Sequence, residues 1–107
     1  MEKRRYQRLR ISNLSVDASD GVGFLQGAVV DASRFGIGVS DLQRRKGGRP
    51  TRMTFIVSGR GENFKITVRP RWSIVQGAGK SVGAEIIDPP RRWTEFIMKF
   101  EPPPQGF

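Results

Sequence analysis

Two short stretches of alternating residues, joined by a glycine-containing turn, set the class of fold open to this chain. Apolar residues occupy every second position over 53–57 and again over 64–68, and Gly59-Arg60-Gly61-Glu62 lies between the two stretches. Alternation with a period of two places one set of side chains on one face of a strand. A turn of this kind joins antiparallel strands. The segment predicts a hairpin with one face in the core.

Turn-forming residues also lie between the other β-rich runs of the chain. Thirteen glycines and seven prolines separate short runs rich in β-forming residues, and no long helical pattern occurs before the C-terminal part. Such spacing favours an all-β barrel or sandwich. Pro70 interrupts its run and predicts an edge position or a bulge. The expected strands are 9–16, 23–30, 36–40, 53–58, 64–69 with a continuation over 71–75, and 82–87.

The C-terminal part carries the helical pattern. Four apolar side chains from Trp93 to Phe100 recur at i, i+3, i+4 and i+7, which is one face of a helix. Asp88 is expected to cap this helix, with Pro90 in its first turn. The apolar face predicts a lid packed on one end of the sheet, with a partner-binding helix as the alternative.

Composition argues against an enzyme. The chain contains no cysteine and no histidine, which removes thiol chemistry, the usual general base and the commonest metal ligands. No phosphate-binding loop motif occurs, and Gly21-Val22-Gly23 is not a dinucleotide fingerprint. We therefore expect no catalytic residues, no metal and no cofactor. No apolar stretch follows the charged N-terminus, and no run of about 18 apolar residues occurs, so a cytoplasmic protein that does not span a membrane is expected.

The net charge of +9 lies mainly in two segments. Residues 1–10 carry five cations and one anion, and residues 41–80 carry ten cations and two anions. A field of this sign favours phosphates, nucleic acid, an acidic protein or an anionic membrane. The basic loop Arg44–Arg49 fits either a contact with such a partner or a solvated turn.

Two clusters carry chemistry suited to an anionic ligand. Arg4 and Arg8 lie on one segment before the first strand, and a guanidinium can hold a phosphate with paired hydrogen bonds and stack on a purine. Asp31 and Ser33 can offer an acceptor and a hydroxyl to a base edge, and Gly36 indicates a positive φ or a close approach. Alone, the second cluster is more typical of an ordinary turn held by side-chain bonds. Phe35, within this cluster, is expected in the core and not at the ligand.

In this order, the two clusters resemble the two-part signature of the PilZ family. The sequence reads Arg4-x-x-x-Arg8, then a strand pair, then Asp31-x-Ser33-x-x-Gly36. The resemblance covers about residues 3–100 and implies a small six-stranded antiparallel β-barrel with a C-terminal α-helix. It also implies a bacterial signalling domain that binds the second messenger cyclic di-GMP.

The resemblance also implies a role for each signature residue. Arg4 and Arg8 would clamp the ligand, Asp31 and Ser33 would contact a guanine, and Gly36 would shape the loop. Lys3, Arg5 and Arg10 form a second group of cations. Lys3 lies directly before the first motif, and family members with a bulky or charged residue at that position often bind two ligand molecules. The other two members of that group, Arg5 and Arg10, have no signature role and fit either phosphate contact or solvent.

The whole chain, residues 1–107, is expected to form one domain. Residues 1–8 would be a flexible ligand-clamping arm, 9–88 the barrel, 89–100 the helix and 101–107 a tail. Ligand binding would order the arm and change the interaction with a downstream protein partner, with the domain a monomer or a weak homodimer.

Two other functions remain open at the level of sequence. A small basic barrel could bind nucleic acid, although no aromatic and basic strand pattern typical of RNA-recognition domains occurs. A PilZ-like adaptor could instead keep a protein partner without binding the ligand. Steep salt dependence of oligonucleotide affinity would distinguish the first, and failure of a folded protein to bind cyclic di-GMP would favour the second.

Overall fold

The computed structural model describes residues 6–43 and 51–102. Within these ranges the chain forms seven strands followed by one short helix, and no helix there is long and apolar enough to cross a membrane. The elements are β1 (Leu9–Arg10), β2 (Ser15–Ser19), β3 (Phe24–Ala32), β4 (Gly36–Gln43), β5 (Met53–Gly59), β6 (Glu62–Gln76), β7 (Gly79–Ile87) and α1 (Arg91–Met98).

Six of the strands close into an antiparallel barrel. Their order is β3-β2-β5-β6-β7-β4, and a further pairing of β3 with β4 closes the cylinder. β1 lies outside the barrel and pairs with the last two residues of β3, beyond the stretch of β3 that pairs with β2. The predicted fold class, a small six-stranded antiparallel barrel followed by a C-terminal helix, is confirmed.

The predicted antiparallel hairpin of β5 and β6 is present. Met53 lies opposite Val68 and Gly59 opposite Glu62. The two residues of the turn have positive φ angles, 54° at Arg60 and 76° at the glycine that follows, which suit the right-handed twist of the strands. The alternating apolar side chains of both strands point into the barrel core.

β6 contains the irregularity that Pro70 predicted. The pairing of β6 with β7 shifts register between Pro70 and Trp72, as expected where proline cannot donate to the ladder. β6 then continues past the end of β5, so that in the described residues its segment 69–76 pairs with β7 alone. The bulge and the extension carry side chains of β6 out to the barrel surface.

The first predicted strand, 9–16, is not continuous. β1 ends at Arg10, and Asn13 takes a left-handed conformation with φ 64° before β2 begins. Ile11 and Leu14 on either side are both buried, so the chain bends to place both in the core. Asparagine tolerates this conformation better than most residues, which allows the break.

The helix packs its apolar face against the barrel, as the lid interpretation predicted. Trp93 is fully buried and meets Phe64 edge to face, with ring centroids 5.3 Å apart. The predicted cap was wrong: Pro90 is the N-cap residue, no side chain caps the helix, and Asp88 has a φ of 48°. A residue before proline is disfavoured in the helical region, so the two prolines move the helix start to Arg91.

Candidate functional site

A groove of about 530 Å³ crosses the outside of the barrel. Three parts of the chain line it: residues just before β1, the turn between β3 and β4, and the facing middle sections of β6 and β7. Ligand sites generally have volumes of about 300–1,000 Å³. The groove is therefore large enough for a nucleotide-sized molecule.

An ion pair joins the two clusters predicted from the sequence. Arg8 Nη1 donates to Asp31 Oδ1 at 2.7 Å, with side chains 18% and 33% exposed. The pairing of β1 with β3 brings them together, because it places Leu9 opposite Ala32 and Arg10 opposite Asp31. The charged hydrogen bond holds the Arg8 guanidinium at the groove in a defined position.

Gly36 allows that guanidinium to approach the backbone closely. A Cβ on Gly36 would lie 2.9 Å from Arg8 Nη2 and 3.0 Å from Nε. Any side chain at this position would therefore push Arg8 away from the turn. Of the two explanations offered by the sequence, close approach rather than positive φ describes Gly36.

Ser33 begins the turn that forms one wall of the groove. It is buried, its backbone N–H donates to the carbonyl of Gly36 at 2.8 Å, and its own carbonyl accepts from Trp93 Nε1 at 3.2 Å. The turn is thus closed on itself and held from behind by α1. Arg8, Ser33 and Gly36 all line the groove, and Asp31 lies beside them through its bond to Arg8.

An aromatic floor that the sequence reasoning missed completes the groove. The indole of Trp72 lies against Gly83, and a Cβ on Gly83 would overlap the ring atoms. Trp72 nevertheless remains 48% exposed. Two local signals were present, since the bulge predicted at Pro70 precedes Trp72 and Gly83 lies inside a predicted strand. Aromatic rings presented in this way can stack on a base.

The charges around the groove leave a positive excess. Glu85 Oε1 accepts from Arg71 Nη2 at 2.6 Å and from Arg69 Nη1 at 3.3 Å. Together with the Arg8–Asp31 pair, three arginines surround two carboxylates. In the part of the chain that the structure describes, no group of three carboxylates is placed to hold a metal ion. The electrostatics suit an anionic ligand.

Phe35 was expected in the core, and this expectation was wrong. Its side chain is 49% exposed, lines the groove and packs on the ring of Tyr6, with centroids 5.6 Å apart. The turn between β3 and β4 carries it out of the barrel, so the apolar ring is shielded by Tyr6 instead of by the core. Neither residue was assigned to the site from the sequence.

The pKa of Glu101 predicts one pH effect. Hydrogen bonding from Arg34 holds that pKa below its ordinary value of 4.5. A carboxylate whose pKa is lower in the folded than in the unfolded state stabilises the protein fully at pH values above the unfolded-state pKa. This contribution is lost as the pH falls through the folded-state pKa. The loss in unfolding free energy caused by Glu101→Gln should therefore shrink as urea titrations move from about pH 6 to about pH 3. A loss that is constant over this range would contradict the prediction.

Of the remaining predicted site residues, only Arg10 is among those that the structure describes, and it does not line the groove. Arg10 is exposed on β1. Lys3, Arg4, Arg5 and the basic loop Arg44–Arg49 lie outside the described residues. The structure therefore places four of the five signature residues at one groove, and the prediction for Arg4 stays a prediction.

The six-stranded barrel and the C-terminal helix agree with the fold that the sequence resemblance implied. No protein-family model and no curated protein matches the sequence. Among solved structures, the chain is similar to the Bacillus subtilis inhibitor of motility MotI/DgrA, with a TM-score of 0.71 and 13% identity. The match covers 94% of this chain and 50% of the other, so this chain spans about half the length of that protein. At this identity the similarity shows the fold.

Proposed function

We propose that the groove binds cyclic di-GMP and that the domain is a receptor for it, without enzymatic activity. The observation that supports this most strongly is the convergence of two sequence motifs 23 residues apart, through the bond between Arg8 and Asp31. An accidental match to a signature gives no reason for its parts to meet at one groove. Here Ser33 and Gly36 lie at the same place.

Arginines supply the contacts proposed for the two phosphates. Arg8 and Arg71 both line the groove, and each presents a forked donor that a phosphate can accept. Hydrogen bonds to charged groups contribute roughly 1.5–3 kcal/mol each. Arg4, which the resemblance assigns to the same role, would add to them once the arm is ordered.

The turn supplies the contacts proposed for a guanine. A carboxylate accepts several hydrogen bonds, so Asp31 can hold Arg8 and still accept from the ring N–H and amino group of a guanine. Part of its side chain is exposed, and Ser33 follows two residues later at the start of the turn. This pairing selects guanine over adenine, which has no donor at the equivalent ring position.

Trp72 is the proposed stacking surface for a base, and its replacement gives a test. Base stacking on an aromatic side chain contributes about 1–3 kcal/mol. We expect Trp72→Ala to weaken cyclic di-GMP binding about tenfold or more, and Trp72→Phe to retain part of the affinity. Calorimetric titration of both variants checks this. Equal affinities for Trp72→Ala and the wild type would exclude the indole from the ligand site.

The function itself is tested by calorimetric titration with cyclic di-GMP, with GMP and GTP as controls. We expect saturable binding of the cyclic dinucleotide alone, loss of binding in Arg8→Ala, and unchanged binding in Arg91→Ala. Arg91 is a matched control because its side chain is 91% exposed and pairs with Glu95 on the same helix. Absence of heat from a folded protein would exclude the receptor function and favour the adaptor.

A parallel titration with a single-stranded oligonucleotide tests the nucleic-acid alternative. Binding that falls steeply with salt, without any preference for the cyclic dinucleotide, would replace the present proposal.

The proposed output is a change in contact with another protein. We propose that the ligand orders the arm of residues 1–8 against the barrel beyond the contacts that Tyr6 and Arg8 already make, and limited proteolysis of this arm with and without cyclic di-GMP tests it. Cleavage that is unaffected at saturating ligand would exclude ordering of the arm. The similar solved structure is named an inhibitor of motility, so control of motility is the first process in which to seek the partner.

A further inference from the structure

Arg34 lies between the signature residues but has no place in the signature. Its Nε and Nη2 donate to the two carboxylate oxygens of Glu101 at 2.8 and 2.7 Å, across 67 residues of sequence. The two side chains are only 25% and 22% exposed. A two-pronged, partly buried pair of this kind fixes the geometry of both side chains more strongly than a single exposed ion pair does.

The same guanidinium also supports the segment before β1. Arg34 Cζ lies 4.6 Å from the centre of the Tyr6 ring, within the range of a cation–π contact, and Tyr6 packs on Phe35. Tyr6 and Phe35 line the groove, and Arg8 follows two residues after Tyr6. One arginine thus connects the groove-lining arm to the residues just after α1.

A second contact ties the same turn to the helix itself. Trp93 Nε1 donates to the carbonyl of Ser33, and Trp93 is fully buried. The turn that forms one wall of the groove is therefore held at two successive residues, from α1 and from Glu101. A displacement of α1 or of Glu101 would therefore move the turn at the groove.

We propose that Arg34 and Glu101 are positioning residues that hold Tyr6 in place at the groove, and that they couple ligand binding to the segment following α1. The coupling rests on the proposed function, whereas the positioning of Tyr6 does not. A ligand that contacts the arm favours the state in which Glu101 is paired with Arg34. Because coupling between two sites is reciprocal, a partner that captured this C-terminal segment would weaken ligand binding to the same extent.

The positioning role is tested first without ligand. Tyr6 is the single tyrosine of the chain, so ring resonances of a protein labelled at tyrosine report this residue alone. We expect Glu101→Gln to move these resonances toward those of an unstructured tyrosine. Glu95→Gln is the matched control, since Glu95 is an exposed carboxylate paired with Arg91 on α1. An unchanged Tyr6 spectrum in Glu101→Gln would overturn the proposal.

The coupling is tested next with cyclic di-GMP. We expect Glu101→Gln to lower its affinity about fivefold to tenfold in calorimetry, while Glu95→Gln has no effect and both keep the wild-type folding cooperativity. In the wild type, ligand should slow hydrogen exchange of the Phe100 and Glu101 amides, which bond to Ile97 and Met98 carbonyls, and Glu101→Gln should remove this effect.

The outcomes separate the two ideas. Wild-type affinity in Glu101→Gln, or exchange that ignores the ligand, would overturn the coupling while leaving the receptor function intact. A wild-type protein that binds no cyclic di-GMP would overturn the receptor function and with it the coupling. The Tyr6 spectrum decides the positioning role in either case.

Discussion

Asp31→Ala is expected to lower the affinity for cyclic di-GMP about a hundredfold. The substitution removes the acceptor proposed for guanine, and it also releases the Arg8 guanidinium from the 2.7 Å bond that holds it over Gly36. Hydrogen bonds to charged groups contribute roughly 1.5–3 kcal/mol each, and a difference of about 1.4 kcal/mol changes affinity tenfold. Calorimetric or competition titration measures the loss.

Asp31→Asn separates the two effects of this substitution. The amide keeps the shape and one acceptor for Arg8, but it presents a donor and no charge to a guanine edge. We expect a loss of affinity nearly as large as that of Asp31→Ala. Asp17→Ala serves as the matched control, because Asp17 is an exposed carboxylate on β2 that does not line the groove. Affinity of Asp31→Ala within a factor of three of the wild type would remove Asp31 from the proposed site.

Trp93→Ala is expected to lower the free energy of unfolding by about 3–5 kcal/mol, the usual cost of removing a large buried aromatic side chain. Trp93 is completely buried between Phe64 and Phe96, and its indole N–H bonds the carbonyl of Ser33. The substitution thus opens a cavity and leaves a buried acceptor without its partner. Urea or guanidinium titration followed by circular dichroism measures the change.

Two further variants on α1 show how much of this loss in unfolding free energy is specific to Trp93. Trp93→Phe keeps much of the packing but removes the N–H, so we expect a smaller loss of about 1–3 kcal/mol. Met98→Ala is the control, because Met98 is half exposed on the same helix and should change stability by less than about 0.5 kcal/mol. If Trp93→Ala were no more destabilising than Met98→Ala, the helix would not be an integral part of the core.

Much of the fold could be predicted because it depends on local patterns. Alternation over 53–57 and 64–68 defined the central hairpin, and Pro70 predicted the bulge that the register shift shows. The apolar face from Trp93 onward predicted the lid. These features depend on the spacing of neighbouring residues, which any strand or helix imposes on its own sequence.

The expectations that were wrong concern positions where packing competes with local preference. Phe35 was assigned to the core from its apolar character, but its turn places it on the surface against Tyr6. Asp88 was assigned as a helix cap from its type, but the prolines after it move the helix start to Arg91. Asn13 breaks the first strand because Ile11 and Leu14 are both buried in the core.

The amino-acid sequence by itself determined the class of fold, the central hairpin, the lid helix and the signature residues Arg8, Asp31, Ser33 and Gly36. Only the tertiary structure decided which residues distant in sequence contact these elements and the groove. Trp72 reaches the groove over Gly83, and Arg34 reaches Glu101 across 67 residues. Pro70 and Gly83 indicate an irregularity in their strands, but local spacing does not identify the partner in either contact. The physical reason is that such contacts depend on strand register and barrel closure, which follow from the packing of the whole core and not from the spacing of neighbouring residues.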